Sequence, residues 1–188
     1  MAIAEDECWE LVESTRAAAA GDPDRHAALL TERLAARPVA DIVSFGHWFR
    51  TKMEEANRTD LLTAAEWIYA ANGAQYVSGD GWEYFRGWLV ARGRRDFEAA
   101  LADADALADL FTTFDDFLSG EEVEYAAHDA YERATGTRDG PDEMNEPSAL
   151  ESWPGDVGSD ARDPERFMAR FPKLTARFGR QPFWDGTY

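Results

Sequence analysis

A chain of 188 residues and 21.1 kDa has the length of one domain with its own core, and 45% apolar with 13% aromatic content excludes a wholly disordered polymer. The formal charge of −18, from 37 acids against 19 bases, disfavours nucleic acid and anionic membrane as partners and favours a basic protein or cations. No apolar run approaches the ~20 residues of a bilayer span, and the acidic start, Met1 to Glu7, lacks the basic and apolar blocks of a signal peptide. A cytoplasmic location is the expectation. The lone Cys8 allows no internal disulfide and agrees with a reducing compartment. Two lysines beside seventeen arginines, with abundant alanine, offer a second source of the acidity, a GC-rich genome with an acidic proteome.

Helical periodicity dominates, and the expectation is an all-α, single-domain bundle of about eight helices spanning residues 1–188. Asp6 is placed to cap a first helix to about Ala20, with Cys8, Leu11, Val12, Thr15 and Ala19 on one face and Gly21 as its end. Asp22-Pro23 opens a second helix that runs to about Arg37, with proline in the first turn where its missing N–H costs nothing. Pro38 starts a third through Asn57, striped by Ile42, Phe45, Phe49, Met53 and Ala56. Asp60 is placed to cap a fourth, Leu61 to Ala71, closed by Asn72-Gly73.

A fifth helix follows the turn Ser78-Gly79-Asp80-Gly81, with Asp80 and Glu83 at capping-box spacing and Trp82, Phe85, Trp88 and Leu89 as the stripe. Gly87 inside this helix costs about 1 kcal/mol of propensity, so its presence points to a close helix contact. Shorter helices are expected near Arg95–Leu101, Leu107–Phe117 and Glu121–Thr135, the last ended by Gly136. Residues 137–163, rich in proline, glycine and acids, read as a long acidic loop. A last amphipathic helix at 164–178, with a kink at Pro172, precedes an aromatic tail.

Trp9-Glu10-Leu11-Val12, Asp60-Leu61, and above all Ser78 to Leu89 followed by Ala91-Arg92-Gly93 carry a resemblance. In these segments and in element order the chain resembles a bacterial family catalogued as domain of unknown function 4240, over roughly residues 5–135. The resemblance supports the helix boundaries and draws attention to the glycine-rich turn, and it implies no reaction. Val77 stands where the family pattern often has cysteine, and Gly79 where it often has a second acid. If paired carboxylates bind a cation at that turn in the family, this chain is weakened there.

The densest unusual chemistry lies at the same turn, where Asp80, Trp82, Glu83, Tyr84 and Arg86 form a candidate pocket of two carboxylates, a guanidinium and an aromatic wall. The competing reading is a helix cap plus core packing, with Glu83 and Arg86 as an exposed i,i+3 pair. A P-loop is excluded, because no Gly-Lys-Ser/Thr follows. Glu124, His128 and Glu132 share a helix face at steps of four, but His128 lies about 140° from the stripe of Val123, Ala127, Ala130 and Ala134. A solvated acidic face is expected there, and no metal or cofactor. His26 and His47 read as surface residues, no Gly-x-Ser-x-Gly elbow occurs, and Cys8, on the apolar face of the first helix in an acidic stretch that disfavours the thiolate, reads as an inert structural thiol.

Charge is segregated along the chain. From Asp96 to Glu132 there are twelve acids and no lysine or arginine, whereas Arg162, Arg166, Arg170, Lys173 and Arg177 form a basic stripe beside Phe167, Phe171, Leu174 and Phe178. On so acidic a chain this helix is expected to dock internally, its arginines meeting the acidic helices; the alternative is a partner-facing helix tethered by the acidic loop. The favoured function is a non-enzymatic interaction or regulatory protein that binds a basic protein surface, with Trp153 and Trp184 as partner-binding anchors. The alternative is a cation-assisted enzyme with its carboxylates at Ser78–Glu83. Nucleic-acid mimicry ranks below both.

Overall fold

Apolar side chains recurring at three- and four-residue steps wind the chain into helices and turn one face of each inward. The computed structural model describes residues 3–74, 77–110, 120–145, 153–154 and 163–179, and every regular element among them is a helix. The first five are α1 (Glu5–Ala19), α2 (Pro23–Ala35), α3 (Val39–Glu55), α4 (Thr59–Ala71) and α5 (Gly79–Ala91). α6 (Arg94–Ala102) leads through a 3-10 turn at Ala104–Ala106 into the short α7 (Leu107–Leu110). α8 (Gly120–Glu124), α9 (Ala126–Thr135), α10 (Asp142–Asn145), α11 (Pro164–Arg170) and α12 (Pro172–Phe178) complete the described chain. Among the described residues no helix is long and apolar enough to cross a membrane.

The expected stripes are buried: Cys8, Leu11, Val12, Thr15 and Ala19 of α1, and Ile42, Phe45, Phe49 and Met53 of α3 with Ala56 beyond its end. They join Leu61, Trp67 and Ile68 of α4 and Trp82, Phe85, Trp88 and Leu89 of α5 in one continuous core. α1 packs on α2, and α9 lies across α2 and α3. α5 is sandwiched between α3 and α8. The last of these contacts is the closest. A Cβ on Gly87 would sit 3.0 Å from the Gly120 carbonyl oxygen, and one on Gly120 would collide with the Tyr84 carbonyl. Glycine is required on both helices by this approach of backbone to backbone.

The helical segments are more numerous and shorter than the expected eight. The stretch read as one helix from Glu121 divides at Tyr125 into α8 and α9, and the C-terminal helix divides at Phe171, whose φ of −121° and ψ of 66° leave the helical region ahead of Pro172. Within the expected acidic loop, Asp142–Asn145 form α10, and Met144 is fully buried against Gly46 of α3. Most of the remaining loop, Phe117 and the aromatic tail lie outside the described residues.

The caps also differ from the expected ones. α1 begins at Glu5 without a side-chain cap, and Asp6 instead pairs with Arg94 at 2.8 Å. Ala20, at φ 54°, makes the left-handed turn that ends α1, one residue before Gly21. α4 starts at Thr59 after Arg58, and Asp60 holds Arg58 at 2.8 Å within the first turn. Asp22 does cap α2, accepting from Arg25 N at 3.0 Å.

The C-terminal pair docks internally. Phe167 stacks on Trp67 of α4 with ring centroids 3.6 Å apart, and Phe171 and Leu174 are buried beside it. Trp67 Nε1 donates to the Gly179 carbonyl at 3.1 Å. The free N–H groups at the start of α12 find a cap from elsewhere in the chain: Lys173 N and Leu174 N both donate to the Asp105 carboxylate at 2.9 Å. Lys173 meets Asp109 at 3.2 Å, and Arg177 donates to the Ala108 carbonyl. Arg166 pairs with Asp163 ahead of its own helix, and Arg162 lies outside the described residues.

The glycine contact yields a direct test. Gly120→Ala should cost about 3 kcal/mol or more through overpacking against the α5 backbone, read as a lower midpoint in urea at unchanged m-value. Gly79→Ala, where an added Cβ meets nothing within 4 Å, should be neutral or stabilise by up to about 1 kcal/mol. Equal effects from the two would contradict the close approach of α5 and α8.

Candidate functional site

The glycine-rich turn is a cap. Ser78 Oγ accepts from Gly81 N at 3.0 Å, so Ser78 takes the N-cap role that spacing assigned to Asp80. Tyr69 of α4 donates from its hydroxyl to the Gly81 carbonyl at 3.1 Å and leaves little room for a side chain there. Asp80 is exposed, Glu83 and Tyr84 are half-buried, and Trp82 is buried in the core. The five candidate residues therefore do not converge on one pocket. Trp82 is fixed by donating from Nε1 to Asn57 Oδ1 at 3.0 Å.

What the turn does position is Arg86. Its side chain is 0% exposed, so it cannot be half of an exposed pair with Glu83. It faces Glu54 of α3 at 3.8 Å, donates from Nε to the Trp82 carbonyl at 3.4 Å, and lies 5.4 Å from the Trp82 ring. Burial pulls its pKa below the ordinary arginine value, and Glu54, Glu83 and Glu124 oppose that shift. Asn57 Nδ2 reaches Glu54 Oε1 at 3.5 Å and links this pair to Trp82.

A second pair lies alongside. Arg50 of α3 contacts Glu124, the last residue of α8, at 3.4 Å, and Glu124 is buried rather than on the solvated face its spacing suggested. Burial pushes the Glu124 carboxyl up to about 8, Glu83 adds to the shift through its charge and a hydrogen bond, and Arg50 and Arg86 act against it. Two guanidiniums thus face three carboxyls, and this excess of negative charge adds to burial in favouring the protonated form of Glu124. Tyr125, between α8 and α9, is exposed, and His128 of α9 is half-buried with its pKa lowered by burial and by Arg50. Glu124 shares the buried face of α8 with Gly120 and Val123, the face that packs on α5.

The remaining candidates are structural or lie apart from this network. Cys8 is buried, and burial with the charge of Glu7 pushes its thiol up to about 12, so it remains a thiol at neutral pH. His47 is exposed, as expected. His26 is buried, against expectation. Its Nε2 donates to the Val12 carbonyl at 3.2 Å, and burial lowers its pKa to about 4. Trp153 is 44% exposed, and Trp184 lies outside the described residues. Among the described residues no group of three or more His, Cys, Asp or Glu is arranged to hold a metal ion.

The raised Glu124 pKa has a sign that can be checked. A carboxyl whose folded pKa exceeds its unfolded value stabilises the fold at low pH, and that contribution disappears as pH rises from about 4.5 to about 8. Glu124→Gln keeps an N–H for Glu83 and a carbonyl for Arg50 without titrating. Between pH 6.5 and 8 the wild type should lose stability relative to this variant with a slope of up to ~1.4 kcal/mol per pH unit. Denaturant titrations across that range would show it, and parallel curves would mean that Glu124 is ionised in the fold.

No curated protein and no solved structure matches the chain. One family model does, over residues 3–133, which takes in every helix from α1 to α8 and nearly all of α9, with the whole Arg50–Glu54–Glu83–Arg86–Glu124 network. On that match the chain belongs to the family described as protein of unknown function, DUF4240.

Proposed function

We propose that the chain is a non-enzymatic interaction protein that docks on a basic protein surface, with Trp153 as an aromatic anchor in an acidic surround. The observation that carries this reading is Trp153 itself: it is 44% exposed while its neighbour Pro154 is tied down, its carbonyl accepting from Thr59 Oγ1 of α4 at 2.8 Å. A large aromatic held at the surface by an anchored backbone loses little entropy on binding. Residues 139–160 around it carry seven acids and no lysine or arginine.

The distribution of bases supports the same reading. Arg50 and Arg86 face carboxylates in the interior, Lys52 is held between Glu5 and Glu55, and Arg94 between Asp6 and Glu98. With those bases committed, the excess of acids determines the outer field, and a basic partner is steered toward it. A cytoplasmic setting goes with the free thiol of Cys8.

One observation favours the enzyme instead. A carboxyl with its pKa near neutrality beside a second carboxyl and two arginines is a general acid–base arrangement. Of the turn residues expected to supply it, Glu83 alone takes part; Asp80 is exposed.

The two readings separate in a capture experiment with immobilised wild type, Trp153→Ala, and Glu83→Gln/Glu124→Gln in extracts of the source cells. The interaction reading expects a basic protein retained by wild type and by the carboxyl variant, and released by raising salt. Trp153→Ala should lose about tenfold or more in affinity for it, a change of ~1.4 kcal/mol or more, at an unchanged melting temperature. Retention that ignores Trp153 and salt would refute it, and loss confined to the carboxyl variant would turn attention to the buried pair.

A further inference from the structure

We propose that the cleft between the α1–α2 turn and the C-terminal end of α5 binds a small organic carboxylate with an apolar body. The cleft encloses about 250 Å³ and is lined by Arg16, Asp22, His26, Trp88, Arg92 and Val123, among others. That volume lies just below the roughly 300–1,000 Å³ typical of drug-sized ligand sites, so the occupant must be small. None of its lining residues is a member of the Glu83–Glu124 network, and Trp153 is not among them.

The cleft concentrates positive charge on an acidic molecule. Arg16 Nη1 donates to the Arg92 carbonyl at 2.9 Å, which ties the two arginines to the same end of α5. Arg92 directs Nε and Nη2 at a single oxygen of Asp96, Oδ2, at 3.2 and 3.1 Å. The other oxygen of Asp96 accepts from Arg95 at 2.8 Å, so one carboxylate serves two guanidiniums. The Arg92–Arg95–Asp96 group therefore carries one more positive than negative charge, with Arg92 in the wall of the cleft. Asp22 is the one acid among the lining residues, and its carboxylate already caps α2.

The other walls define the rest of the ligand. Trp88 and Val123 supply an apolar floor, with the Arg92 guanidinium 5.7 Å from the Trp88 ring. His26, with Nε2–H committed to the Val12 carbonyl, stays neutral at physiological pH and leaves Nδ1 as an acceptor. A neutral wall beside paired guanidiniums suits a monocarboxylate carrying an apolar ring or chain better than a multiply charged phosphate.

The test uses the full chain with benzoate as the carboxylate probe, and benzyl alcohol and chloride as controls at matched ionic strength. In ¹H–¹⁵N spectra of wild type, benzoate should shift the Trp88 indole, the Arg92 Nε–H and the His26 amide along one saturable curve. Benzyl alcohol should bind at least about tenfold more weakly, and chloride should not saturate those signals. Arg92→Gln and Arg16→Gln should each weaken benzoate about tenfold, while Arg33→Gln, on the exposed face of α2, should not. If Arg92→Gln fails to fold, the wild-type shift map and Arg16→Gln decide. Equal binding of benzyl alcohol, shifts spread over surface arginines, or no saturable shift in the cleft would overturn the proposal.

Discussion

Everything around α5 follows from how closely α8 approaches it. Gly87 and Gly120 let two backbones meet where any Cβ on Gly120 would strike the Tyr84 carbonyl. At that separation Glu124, four residues beyond Gly120, reaches the polar groups that α5 and α3 bury between them. A wider spacing would admit water to Arg86 and Glu124, and their pKa shifts would relax toward ordinary values. The network is thus a consequence of two absent side chains as much as of five present ones.

Burying Arg86 without exposure makes the network stringent in a way an apolar core is not. Charges in such a site are costly unless paired, and removing one partner leaves another uncompensated, a loss of about 3–5 kcal/mol. Glu54 Oε2 and Arg50 Nε are buried without hydrogen-bond partners among the described residues, while Glu54 Oε1 and Arg50 Nη1 are hydrogen-bonded to Asn57 and Glu124. Glu124 is the adjustable component: burial, and then the charge of Glu83, favour its protonated form against the pull of Arg50 and Arg86, so the charge balance beneath α8 and α5 depends on pH.

The stripes of α1, α3 and α5 were legible because burial repeats with the helical period, and Gly87 was legible because a glycine at mid-helix needs a reason. Its counterpart Gly120 was not, since a glycine at a helix start has ordinary explanations. Glu124 was misread for a physical reason. Its spacing with His128 and Glu132 suggests a solvated face, but α8 packs so closely on α5 that Glu124 is buried together with Gly120 and Val123. Arg86 was assigned to an exposed pair from its i,i+3 spacing with Glu83, but burial is set by α3, whose Glu54 lies 32 residues earlier. Asp105 capping α12 is likewise a contact between residues 68 and 69 apart, which no local pattern encodes.

The distribution of charge separates two kinds of site on the same chain. Interior arginines hold carboxylates in place and are unavailable to a partner, so the net charge of −18 acts outward and favours basic surfaces at long range. Near the end of α5 the balance reverses locally, since Arg95 competes with Arg92 for Asp96. A small carboxylate would be repelled by the outer field at distance yet held at contact, where two nearby guanidiniums outweigh screened acids farther away. Association of such a ligand should therefore quicken with added salt, while a basic protein meeting the acidic face should associate more slowly. On the two proposals, the opposite salt dependence of the encounters would follow from a single charge distribution, acidic over the chain as a whole and locally basic beside the end of α5.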